Sequence, residues 1–235
     1  MTFSRWLQSR LTAHGYPCGV IDGIVGPVTT AAIRAFQRGH GIEVTGTATS
    51  ATVAALRSSS TARVAAMPER QPLVAADPTA NLLWPRQADV PGFYGNVGER
   101  QVAVEVPWTM RLAWDKSVRI NRITLHERVA DSARRVLEDI AGVYSETEIA
   151  ALGIDLFGGS LNVRRMRGGS AYSMHSWGIA IDFDPERNGL RWKRPQARLS
   201  HTDASAFWRA WEAEGWVSLG RARDFDWMHV QAARL

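Results

Sequence analysis

Ser173-Met174-His175-Ser176-Trp177-Gly178-Ile179-Ala180-Ile181-Asp182-Phe183-Asp184 decides how this chain is read, because its second half alternates with a period of two. A strand there places Ile179, Ile181 and Phe183 on one face and Gly178, Ala180, Asp182 and Asp184 on the other. The small residues open space beside an acidic pair that would be costly to bury alone, and a metal ion would offset that cost. His175 stands just before the strand and can swing its imidazole over the same face. One histidine and one aspartate make half of a zinc site.

The other half is expected in Asp224-Phe225-Asp226-Trp227-Met228-His229-Val230, with His229 as the third ligand to one zinc ion per chain. Three protein ligands leave a fourth zinc position to water, whose pKa the metal lowers to about 7. Asp226, three residues before His229, is the candidate general base for that water. Residues three apart in a regular strand face opposite ways, so Asp226 is expected on a bulge or turn. Asp184 in place of Asp182, and Asp224 in place of Asp226, are the alternatives. His126, at the mouth of a predicted helix, reads as a packed or capping histidine.

Around this centre, Val129, Ala133, Val136, Leu137, Ile140 and Tyr144 recur at helical spacing and predict a buried helix over 129–144. Val102, Val104 and Val106 alternate as a strand does. Phe207, Trp208 and Trp211 predict a further helix that Gly215 ends, followed by a strand over 216–219. The expected unit, residues 82–235, is an α+β fold with a small antiparallel sheet.

Ahead of it, Leu7 and Leu11 share one face of a helix that Gly15 stops. The turn formers Asp22-Gly23-Ile24-Val25-Gly26 lead to Pro27 at the start of a second helix, with Val28, Ala32, Ile33 and Phe36 inward. A weaker repeat, Gly46-Thr47-Ala48-Thr49-Ser50, precedes a short helix with Val53 and Leu56 inward. Residues 1–58 therefore read as a three-helix domain. Residues 59–81, rich in Ser, Ala, Pro and Gln without periodicity, read as a linker.

The 235 residues suit two such units, and 45% hydrophobic with 22% charged residues is an ordinary globular composition. Cys18 is the only cysteine, so no internal disulfide can form and a buried thiol is expected. The net charge of +5 favours a polyanionic partner, yet no Lys/Arg block or nucleic-acid motif accompanies it, and nucleic acid is not the expected one. No run of ~20 apolar residues suggests a membrane span, and the amphipathic start lacks the apolar core of a secretory signal. A monomer is expected.

Two resemblances extend this reading. Residues 7–56 resemble the peptidoglycan-binding domain of the three-helix type through Leu7-Gln8, Gly15-Tyr16, Asp22, Gly23, Gly26, Thr29, Phe36-Gln37, Gly46 and Thr52. Contact with the glycan is then sought at the exposed turn of Asp22 and Gly23. The second repeat has no acidic residue like Asp22, with Thr47 in its place. Residues 120–235 resemble the zinc D-alanyl-D-alanine carboxypeptidase family, which includes phage L-alanyl-D-glutamate endopeptidases, through S-x-H-x-x-G-x-A-x-D and D/E-x-x-H. That resemblance implies His175, Asp182 and His229 as zinc ligands and Asp226 as catalytic acid and base. It also implies an upstream arginine that steadies the oxyanion; Arg164 is the nearest match, with Arg165 and Arg167 close by. Ser173 is expected to bind substrate or orient its loop.

Together the two halves imply a peptidoglycan peptidase. The expected form is a phage endolysin cutting an L-alanyl-D-glutamate or D-alanyl bond. It would stay in the host cytoplasm until the membrane is permeabilised and then act on the wall of a Gram-negative host. A host D-alanyl-D-alanine carboxypeptidase and a non-catalytic wall-binding protein are the rivals.

Overall fold

The computed structural model describes residues 2–58 apart from 17 and 20, and residues 83–235 apart from 167 and 168. The linker expected at 59–81 lies outside the described residues. Three helices open the chain: α1 (Phe3–Ala13), α2 (Pro27–Gly39) and α3 (Ser50–Arg57). The hydroxyls of Thr2 and Thr49 cap α1 and α3 by accepting backbone N–H groups of Arg5 and Thr52, while α2 begins on Pro27, whose missing donor is harmless there. Leu7, Leu11, Cys18, Ala32, Ile33, Phe36 and Leu56 form their common core.

Val28, expected inward, is 60% exposed. Thr29 fills the first inward position of α2 instead, because its hydroxyl accepts from the buried Gln8 amide at 3.3 Å. Gln8 and Gln37 are structural twins. Gln8 donates to Asp22 Oδ1 (2.9 Å) and accepts from Gly23 N (2.7 Å), while Asp22 Oδ1 also accepts from Ile24 N. Gln37 donates to Thr45 Oγ1 (3.0 Å) and Thr52 Oγ1 (2.9 Å) and accepts from Gly46 N (2.9 Å). Thr45, whose hydroxyl accepts from Thr47 N, therefore stands where Asp22 stands in the first turn, and Thr47 does not. Each buried amide closes a turn whose backbone donors would otherwise be orphaned.

The remainder comprises α4 (Val90–Tyr94), β1 (Gln101–Leu112), β2 (Asp115–His126), α5 (Glu127–Val143), α6 (Glu146–Leu152), β3 (Leu156–Gly159), β4 (Ala180–Phe183), α7 (Ser205–Ala213), β5 (Val217–Ser218), α8 (Leu219–Arg223) and β6 (His229–Gln231). This is an α+β fold. The strands form one sheet in the order β2-β1-β3-β4-β6-β5. All neighbours run antiparallel except β1 and β3, so the small antiparallel sheet expected is a mixed one of six strands. A parallel pair needs a long crossover, and α5 and α6 lie within the connection from β1 to β3. Val104, Val106, Trp108 and Met110 on alternate positions of β1 are buried, and α5 packs there with Val129, Ala133, Val136, Leu137 and Ile140. The ring of Phe183 meets that of Phe207 on α7 edge to face, 5.1 Å between centroids.

The three-helix unit is seated against this fold. Helix α1 packs on α5 and α7, and Ala13 belongs to the larger core. Arg10 reaches across to donate to both carboxylate oxygens of Glu148, at 2.7 and 3.1 Å, and to the carbonyl of Val143. From the other side, Arg209 of α7 donates to the carbonyl of Gly19.

Candidate metal centre

The stretch 173–184 folds as a short 3₁₀ turn, Met174–Trp177, followed by β4. Gly178 joins them in the left-handed conformation (φ 67°), and a side chain there would collide with Gln101 Oε1. Strands β4 and β6 pair so that Asp182 lies directly opposite His229. Opposite residues of an antiparallel pair share a face, which brings carboxylate and imidazole together.

Three candidate ligand atoms converge. His175 Nε2 lies 3.2 Å from His229 Nδ1 and 3.2 Å from Asp182 Oδ1, and His229 Nδ1 lies 2.9 Å from Asp182 Oδ1. Three corners of a tetrahedron about 2.0 Å from a zinc ion are about 3.3 Å apart, so the donor set and its spacing fit that metal. The remaining ring nitrogens are also engaged. His175 Nδ1 faces the carbonyl of Ser160 at 3.1 Å, and His229 Nε2 faces Gln231 Oε1 at 3.1 Å. Because a carbonyl only accepts, His175 carries its proton on Nδ1 and turns a lone pair toward the cluster.

The two nearby carboxylates are driven apart in acidity. Burial opposes ionisation of Asp182, but His175 and His229 outweigh it and hold the group well below the ordinary carboxylate range. Burial pushes Asp226 up to about 6, with Asp182 adding to the rise and His229, His175 and Arg164 opposing it. Burial likewise works against a charge on His229, yet Asp182 raises its pKa.

Asp226 sits in a turn ahead of β6 with φ 55°, and its carbonyl accepts the N–H of His229 at 3.1 Å. The strand begins only at His229, so the expected conflict of faces does not arise. Asp224 is occupied elsewhere: its carboxylate accepts from Arg194 N (3.0 Å) and from the indole of Trp227 (2.9 Å). Asp184 turns away to Arg187 at 2.5 Å. His126 caps α5 by accepting from Arg128 N.

Among the arginines, Arg164 is exposed and its charge reaches Asp226, whereas Arg165 lies over the Tyr172 ring and donates to the carbonyl of Ser170. Arg167 lies outside the described residues. Ser173 is buried, with its N–H donating to the carbonyl of Arg164 and its carbonyl accepting from Ser176 N, so it ties the arginine segment to the histidine turn. Asp22 and Gly23 belong to the turn that Gln8 closes, in the separate three-helix unit.

Residues 167–232 match the family model of a D-alanyl-D-alanine carboxypeptidase, and residues 3–56 match that of a peptidoglycan-binding domain. The chain carries a domain of each family. No curated protein and no solved structure matches it. The match to the carboxypeptidase family spans His175, Asp182, Asp226 and His229, and that to the peptidoglycan-binding family spans both glutamine-closed turns. The first match supports peptidoglycan as a partner, and the two together support a peptidase that acts on it. Among the described residues, no helix is long and apolar enough to cross a membrane.

Sequence reasoning missed Gln231, which backs His229, and Glu148, which receives Arg10. Gln231 follows His229 by two and so shares its face of β6, a signal available from spacing alone. Nothing in the local pattern links Arg10 to Glu148.

Proposed function

We propose that this chain is a zinc-dependent peptidoglycan peptidase of the phage endolysin kind, which hydrolyses an L-alanyl-D-glutamate or D-alanyl bond of the stem peptide or crosslink. The convergence of His175 Nε2, Asp182 Oδ1 and His229 Nδ1 within 4.8 Å carries this reading. When bound there, zinc supplies Lewis acidity and lowers the pKa of water. Asp226, whose raised pKa suits proton exchange near neutrality, takes the proton of the attacking water and delivers it to the departing amine. Arg164 presents a fixed positive charge to the oxyanion, and Ser173 holds the segment that carries it.

Residues 1–58 bind the wall, 59–81 connect, and 82–235 cut. Contact with the glycan falls near Asp22 and Gly23, beside the exposed Ile24 and Val25. The net charge of +5 complements an anionic wall. The protein acts as a monomer, held in the host cytoplasm until the membrane is breached and then acting on a Gram-negative wall.

The test is turbidity of purified sacculi with wild type and Asp226→Ala, each with and without chelator, followed by mass spectrometry of the products. Chelator-sensitive lysis with new peptide termini within the stem or crosslink is expected. Release of free D-alanine without lysis would replace the endolysin by a D-alanyl-D-alanine carboxypeptidase. Sacculus binding without any chelator-sensitive cleavage would reduce the chain to a wall-binding protein.

A further inference from the structure

Gln231 is 1% exposed, and the neighbours of its amide settle which way round it lies. Its Nε2 donates to the carbonyl of Ala233 at 2.8 Å, an atom that can only accept. Its Oε1 must therefore be the atom 3.1 Å from His229 Nε2, and an oxygen can hold that contact only if the imidazole carries a proton there. The proton so fixed leaves Nδ1 of the neutral ring with its lone pair, and Nδ1 is the atom that meets Asp182 Oδ1 and His175 Nε2.

The sheet explains why the amide fits. Gln231 lies two residues from His229 on β6, on the same face, and is paired with Ala180 of β4. Alanine opposite leaves the amide room to reach back along the strand toward the imidazole. His175 reaches the same state by another route, through the carbonyl of Ser160. One ligand is set by backbone and the other by a side chain, so only the second can be altered by substitution.

We propose that Gln231 is the positioning residue of the metal centre: by accepting from Nε2 it selects the His229 tautomer whose Nδ1 binds the metal. This inference rests on the zinc reading above. Partners of this kind hold ligating imidazoles in orientation, and their loss weakens metal binding by about 10- to 100-fold.

Two measurements on the full chain test it. In zinc-loaded wild type carrying ¹⁵N-histidine, NMR is expected to show His229 protonated at Nε2 and metal-bound at Nδ1; the opposite tautomer would overturn the proposal, whatever any variant does. In competition with a chromophoric chelator, Gln231→Met is expected to bind zinc about 10- to 100-fold more weakly, with Gln231→Glu, which keeps an acceptor toward Nε2, closer to wild type. Gln231→Met with wild-type zinc affinity would overturn it too. A wild type that binds no zinc at all would instead sink the metal reading on which the inference stands.

Discussion

Arg10, in the first helix, and Glu148, 138 residues further along the chain, meet as a buried ion pair with two hydrogen bonds. The side chains are only 3% and 8% exposed, so neither charge has water to fall back on. Removing the arginine alone strands the carboxylate. Arg10→Met is expected to lower unfolding free energy by about 3–5 kcal/mol in urea titrations, and adding Glu148→Leu to recover much of that loss. Equal stability of Arg10→Met and wild type would mean the two units do not rest on each other in solution.

The same pair sets a pH dependence. Burial acts to raise the pKa of Glu148, but hydrogen bonds from Arg10 and Ser145 outweigh it and leave the group below its ordinary 4.5. A depressed folded-state pKa contributes stability that is complete above the unfolded value and fades as pH falls through the folded one. The stability gap between wild type and Glu148→Gln is therefore expected to be constant at neutral pH and to shrink below pH 4.5. Unfolding curves taken from pH 7 downward would reveal a gap that fails to close.

In the proposed mechanism, loss of the Asp226 carboxylate removes proton transfer and leaves the proposed metal ligands in place. Asp226→Ala is expected to fold, to retain its metal and to lose about 10²- to 10⁴-fold in cleavage rate. A base must be deprotonated to act, so the rate falls on the acid side of its pKa. That limb is expected no higher than about pH 6, because a bound cation beside the group favours the carboxylate. Arg164 also favours the carboxylate, so Arg164→Ala should move the limb upward. A pH–rate profile unchanged by either substitution would take both residues out of the chemistry.

Metal binding to the folded chain alone stabilises it by mass action, by about 4 kcal/mol at a thousandfold excess over the dissociation constant. Zinc is expected to raise the melting temperature of chelator-stripped wild type, and to do so far less for Asp182→Asn, which removes the one anionic member of the proposed ligand set. Matching shifts in calorimetry would place the metal elsewhere.

Much of this was legible from residue spacing. The alternation of Ile179, Ile181 and Phe183 marks a buried face that runs from the residue before β4 to its end, and the helical repeat from Val129 to Ile140 marks α5, because burial on one side imposes a period that composition cannot hide. Val28 escaped that logic, since an inward hydroxyl bonded to Gln8 outranked an apolar neighbour in the first turn of α2. The parallel pairing of β1 with β3 was not legible, because strand partners far apart in sequence leave no local trace. The same holds for Arg10 and Glu148. Asp226 was legible as a residue type but not as a conformation: it sits in a turn with φ 55°, where its carboxyl feels the charges of His229, Asp182 and His175.

Asp182 and His229 are paired across two adjacent strands, and a slip of one residue between those strands would send their side chains to opposite sides of the sheet. If the proposed centre holds a metal, ion capture and correct strand alignment are one event. A misassembled molecule could then not hold the ion, and the fraction of a preparation that retains metal through dialysis would count the correctly folded chains.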